Sequence, residues 1–175
     1  MLGYNKSKSD NQQERLKTIG WIVGFVDGEG CFSVSIFRNR TMKYGWQVFP
    51  EFVVTQEEKS IKVLQEIQKF FDCGKIFINR NTRPNDNHKE PLYRYCVRSV
   101  KDLREKIIPF FEKYSLRTAK RKQFEYFIKI LEMLVKKKHL TISGIRKIAR
   151  IIELMNNKKQ SKFLESSEAI RRKSS

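Results

Sequence analysis

Cysteine and histidine are scarce in this chain: three of the first and two of the second in 175 residues. The cysteines, at positions 31, 73 and 96, share no metal-ligand spacing, which excludes a zinc ribbon or finger. Their odd number, with no signal peptide in view, makes free thiols in a reducing compartment the expectation. His88 and His139 have no partner at ligand spacing. Both read as surface residues, and neither is assigned as a general base. Acid is scarce as well, with 19 Asp and Glu against 37 Lys and Arg, a formal net charge of +18. No apolar run approaches the ~20 residues of a membrane helix, so no span is expected.

What is plentiful is aromatic and aliphatic material. Hydrophobic residues make up 39% of the chain, including 13 Phe, enough for a real core and too much for a disordered basic tail. Such a cationic surface calls for a polyanion. Nucleic acid leads, because each phosphate neutralised by Lys or Arg releases condensed counterions. A membrane surface is the rival, but no single helix is strongly basic and amphipathic with an exposed aromatic face.

Residues 1–15 are polar and read as a flexible basic arm, too acidic at Asp10 and Glu14 for a transit peptide. Leu16 to Gly28 reads as a helix, stopped by Gly30. From Cys31 the period changes to two, with Phe32, Val34 and Ile36 alternating with Ser33, Ser35 and Phe37. Trp46 to Thr55 is a second strand, with Pro50 tolerable at a bulge or edge. Lys59 to Phe71 returns to helical spacing. Lys75 to Arg80 and Leu92 to Arg98 are two more strands around a long polar hairpin loop. Helices follow at Asp102–Tyr114, broken or kinked at Pro109, at Thr118–Lys138 and at Thr141–Met155. Residues 157–175 form a charged tail. The simplest packing is a single α+β domain over residues 16–156: one four-stranded antiparallel sheet with helices on one face.

The stretch Trp21 to Gly30 carries the most information. Gly20, Gly24 and Gly28 recur every four residues and so line one helix face. Each costs about 1 kcal/mol relative to Ala inside a helix. Three on one stripe point either to another backbone approaching closely or to packing of the helix on its own sheet. Asp27 and Glu29 end an otherwise apolar helix, where the helix dipole favours cations. They are either exposed helix-end carboxylates or the partners of a cation.

Ile22-Val23-Gly24-Phe25-Val26-Asp27-Gly28-Glu29-Gly30 resembles the LAGLIDADG motif of homing endonucleases, with both glycines and both acids of the motif in place. The deduced αββαββα order is that family's fold. Only one copy of the motif is present, and the family's single-motif members are homodimers. The resemblance then implies that Gly20, Trp21, Gly24 and Gly28 form a two-fold helix–helix interface. It implies that Glu29 is the metal ligand, with the Gly28 carbonyl as a second. Oxygen ligands of this kind suit Mg²⁺, and the resemblance implies that Mn²⁺ can substitute and that Ca²⁺ binds without cleavage. Asp27 reads as a helix-end hydrogen-bonding residue. Gln56 resembles the family's polar residue that orients water, and Lys120 its active-site lysine. Lys122 and Arg117 are the alternatives to Lys120. Where a further basic residue is expected after Gln56, this chain has Glu57-Glu58-Lys59-Ser60, a departure from the family's pattern.

A twisted β-ribbon fits the major groove of B-DNA. Alternation places Ser33, Ser35, Phe37, Asn39, Gln47 and Glu51 on the outer face, with Phe77, Asn79, Arg94 and Arg98 beside them. Arg38, Arg40, Lys43, Arg80 and Arg83 sit in loops suited to phosphates. The leading expectation is a homodimeric, metal-dependent, site-specific double-strand DNA endonuclease with a long pseudo-palindromic target, encoded in an intron. An RNA-binding splicing cofactor (a maturase) on the same fold is the alternative. A basic nucleic-acid-binding protein without catalysis would not need acids at the end of a glycine-striped helix. The Lys-, Ile- and Asn-rich bias points to an AT-rich genome, organellar (mitochondrion or chloroplast) or bacterial.

Overall fold

A computed structural model describes residues 8–79, 91–156 and 163–165, with side chains from Asn11 onward. Arg80, Arg83 and His88 lie outside the described residues. The chain opens with α1 (Lys8–Glu29), then β1 (Gly30–Arg38) and β2 (Trp46–Glu57). A 3₁₀ turn (Glu58–Ser60) leads into α2 (Ile61–Phe71), followed by β3 (Lys75–Ile78) and β4 (Leu92–Val97). Next come α3 (Val100–Asp102), a π-helical stretch (Leu103–Ile107) and α4 (Ile108–Lys113), which run on from one another. The last helices are α5 (Lys120–Val135) and α6 (Ile142–Met155).

The sheet is antiparallel throughout, in the order β1-β2-β4-β3. Period-two patterning decides its faces. Phe32, Val34, Phe52, Val54, Tyr95 and Val97 turn inward and are buried against α2, α4 and α5. Phe32 is the hub of that core, with ring centroids 4.9–5.6 Å from those of Phe52, Phe111, Phe124 and Phe127. Pro50 pairs with Val34 of β1, and β2 meets β4 only from Phe52 onward. The missing N–H of Pro50 therefore falls where β2 is locally an edge.

Pro109 does not break its helix. The turns widen to π geometry over Leu103–Ile107, immediately before it, and the helix resumes with the proline in its first turn. An inserted residue of this kind absorbs the donor that proline lacks. Two expectations are corrected. The expected arm from Lys8 to Arg15 is helical, so α1 starts eight residues before Leu16. His139 is half-buried rather than on the surface; burial holds its pKa below the usual histidine value, against a backbone hydrogen bond with Leu134. Phe163, in the expected tail, is fully buried edge-on to Trp46 in a second small core with Ile142, Ile145 and Ala149.

Candidate active site and nucleic-acid face

Helix α1 ends where β1 begins, and Gly30 makes the junction possible. A Cβ there would lie 2.6 Å from Val26 Cγ1 and 2.8 Å from the Val26 carbonyl oxygen. The chain folds back tightly enough that Asp27, Gly28 and Glu29 stand at one end of the sheet. The entry to α5 meets them there. The Arg117 amide donates to Asp27 Oδ2 at 2.8 Å, the Thr118 amide to both carboxylate oxygens at 3.2 Å, and the Thr118 hydroxyl to Oδ1 at 2.6 Å. Asp27 thus gathers the free N–H groups of the loop before α5, the work of a helix N-cap done from 91 residues away. Desolvation is the largest influence on its carboxyl and pushes the pKa up. The Thr118 side chain, the Arg117 and Thr118 amides and the nearby Lys120 together outweigh it, so the net pKa is lowered.

Lys120 completes the junction. Its ammonium donates to the carbonyl oxygens of Val26 at 2.9 Å and Gly28 at 3.0 Å. Both carbonyls lie in the last turn of α1, where helix-end acceptors lack partners and the dipole is negative. Desolvation pulls the Lys120 pKa below the usual lysine value, and Cys31, Asp27 and Glu29 push it back. Of the three basic candidates, Lys120 is the one whose side chain reaches this point. Arg117 contributes its backbone, and Lys122 is exposed on α5.

Glu29 is exposed, and no hydrogen bond or salt bridge among the described residues engages its carboxylate. Gln56 comes to the same end of the sheet by register: Gly30 pairs with Val54, two residues before it on β2, and Gln56 itself pairs with Tyr93. A carboxylate and a backbone carbonyl already holding a cationic head are hard oxygen donors that fit Mg²⁺ or Ca²⁺. Among the described residues no cluster of three or more His, Cys, Asp or Glu side chains forms. Glu29 and the Gly28 carbonyl are the oxygen donors at this end of α1 available to a cation, and in this structure the Gly28 oxygen accepts from Lys120.

The sheet face turned away from the helices carries the odd-numbered residues of β1, β2 and β3 and the even-numbered residues of β4, as alternation and register require. Ser33, Ser35, Phe37, Gln47, Phe49, Thr55 and Phe77 are half-buried or exposed on it. Asn39 and Gln47 are tied together by an amide hydrogen bond of 2.6 Å, and Asn39 also caps the turn by accepting from Thr41. The Arg38 guanidinium stacks 4.2 Å over Trp46, while Arg40 and Lys43 are exposed at the β1–β2 turn. Asn79 is half-buried just past β3. Glu51 departs from expectation. It belongs to the outer face but is buried beneath Arg94 and Arg98, which both pair with it.

On α1, Gly20, Gly24 and Gly28 are exposed, and a Cβ added to any of them would meet nothing within 4 Å. Packing within the chain does not require these glycines. Trp21 is 38% exposed beside them and stacks on Phe25 at 5.6 Å.

A four-stranded antiparallel saddle with two acids at the end of a glycine-striped helix is the arrangement of the LAGLIDADG endonucleases. The chain belongs to that family: the LAGLIDADG endonuclease model matches residues 22–131. Among solved structures, the homing endonuclease I-TnaI is 41% identical and superposes with a TM-score of 0.75 over 87% of this chain and 97% of its own. I-SmaMI bound to an uncleaved DNA target with calcium ions is 33% identical, with a TM-score of 0.72 over 82% of this chain and 46% of its own. A probable intron-encoded endonuclease of Neurospora crassa is 29% identical over 153 residues, 86% of this chain. The chain spans about a quarter of the length of that protein and of similar curated fungal relatives.

Proposed function

We propose that this chain is an intron-encoded homing endonuclease that cleaves both strands of a specific DNA site as a homodimer. The observation that carries this reading is the junction itself. A free Glu29 carboxylate, the Gly28 carbonyl and the Lys120 ammonium meet where α1 ends, beside a sheet face lined with arginine. Relatives named as DNA endonucleases and the DNA-bound I-SmaMI structure support DNA as the substrate. Pairing of two copies through the open glycine stripe brings two such junctions side by side, one for each strand. Intron encoding in the Neurospora relative supports an organellar origin.

Glu29 and the Gly28 carbonyl would hold a divalent cation, Mg²⁺ or Mn²⁺, and such a cation would supply charge to polarise the scissile phosphate and lower the pKa of water. The rest falls to the protein. Gln56 orients the attacking water from the end of β2. Lys120 places positive charge where the phosphate gathers negative charge. Asp27 does no chemistry but fixes the α5 entry, and with it Lys120, against α1. The unlatched Glu29 and the retained Gln56 favour cleavage over the splicing-cofactor reading.

The test is Glu29→Gln, which keeps the shape and removes the charge. Cleavage with Mg²⁺ is lost, while target binding in Ca²⁺ survives or tightens because a carboxylate no longer faces phosphate. A Glu29→Gln protein that still cuts near the wild-type rate refutes this active site.

A further inference from the structure

Glu51 is the one charged side chain buried among the described residues, and it lies on the face that carries the basic residues. Both of its oxygens are engaged by arginine. Arg94 donates from Nη2 to Oε1 at 2.8 Å, and Arg98 donates from Nε to Oε2. The exposures run in layers: the Glu51 side chain is 10% exposed, that of Arg94 28% and that of Arg98 42%. The acid is thus the floor and the guanidiniums the roof. Arg98 is held further by two rings, with its guanidinium carbon 5.5 Å from the centroid of Phe49 and 5.0 Å from that of Phe77. One acid under two arginines leaves a net positive charge, and each partly exposed guanidinium keeps N–H donors that Glu51 does not use.

We propose that Glu51 is a specificity-determining positioning residue that holds Arg94 and Arg98 as one preorganised pair for reading guanine in the major groove. Buried beneath the two guanidiniums, Glu51 is not the group presented to a base edge. Guanine offers O6 and N7 as a matched pair of acceptors, which a fixed guanidinium meets with two parallel bonds. A free arginine loses rotamer entropy when it makes that contact. One already held by a carboxylate and two aromatic rings has lost it during folding. The hydrogen bond from the Ser33 hydroxyl to the Glu51 carbonyl at 3.4 Å links the cluster to β1.

This assignment rests on the DNA-binding reading above, and the experiment separates the two. The intact protein is bound in Ca²⁺ to a library of randomised duplexes, and base preference is scored by position. Wild type, Glu51→Gln, Arg94→Ala, Arg98→Ala and the Glu51→Gln/Arg94→Ala double variant are compared. Glu51→Gln is expected to flatten guanine preference by roughly tenfold at the same base pairs as the two arginine variants. Positions read by β1 and the salt dependence stay as in wild type, and the double variant is no worse than Arg94→Ala at the Arg94 base pair. Should Glu51→Gln unfold, Arg98→Lys keeps the charge without the fork and is expected to lose the same preference. A wild-type profile in Glu51→Gln, or uniform flattening at every position, overturns the assignment alone. A wild-type protein with no base preference and no salt dependence overturns the DNA reading and the assignment together.

Discussion

The Lys120 ammonium donates at 3.0 Å to the Gly28 carbonyl, the oxygen proposed above as a metal ligand. A cationic head from α5 therefore rests on the negative end of α1, beside Glu29. The lysine serves the fold as a helix cap and, in the proposed function, the site as a fixed positive charge.

Lys120→Met separates these roles. Losing the two carbonyl hydrogen bonds at a half-exposed position costs roughly 1–2 kcal/mol, read from chemical denaturation. Cleavage of a matched target is expected to fall by about 10²-fold or more, with binding in Ca²⁺ retained. Cleavage that tracks only the fraction of folded protein would remove Lys120 from the chemistry.

Asp27 gives the protein an acid-sensitive latch. Its carboxyl titrates below the ordinary aspartate value in the folded state, so it binds protons less readily there than in the unfolded chain. Its contribution to stability is present above the unfolded pKa of ~3.9 and is lost as pH falls through the lower folded value. Asp27→Asn is expected to flatten that part of the curve of stability against pH. A variant with the wild-type acid profile would show that the latch carries no linkage.

Gly24 tests assembly. Among the described residues nothing beyond the helix itself lies within 4 Å of a Cβ at this position, so Gly24→Leu is expected to leave the single-chain fold intact and strengthen the helix by about 1 kcal/mol. Sedimentation is expected to show a monomer where the wild type is a dimer, with cleavage lost. A wild-type protein that sediments as a monomer on its DNA would end the two-fold reading.

Charge tests the partner. With +18 per chain, log K against log salt is expected to fall with a slope near −0.9 for each phosphate contacted. Lys43→Ala at the exposed β1–β2 turn makes the slope shallower by about one contact and weakens all sequences alike. Affinity that does not change with salt would exclude a phosphate-dominated interface.

The sheet was legible because strands record their faces locally. The alternation of Phe32, Val34 and Ile36 with Ser33, Ser35 and Phe37 reports which side is buried without reference to any other segment. The same holds for α5 and α6, whose apolar stripes face the core. The first turns of α1 were not legible. Residues 11–17 are exposed all round, so no apolar period marks them as helical. Phe163 gave no signal either, being half of a two-residue apolar pair with Leu164 in a charged stretch, and its burial depends on Trp46 across the fold.

Sequence alone determined the motif, the glycine stripe, the excess of positive charge and the order of helices and strands. Each is a property of neighbouring residues or of the whole composition. Tertiary structure alone decided which lysine reaches the end of α1, what Asp27 caps and which arginines Glu51 holds. Those pairings join residues 43 to 94 positions apart, set by strand register and helix packing. A one-residue slip of register would move every such side chain to the opposite face of the sheet, with no trace in the local pattern of the other segment.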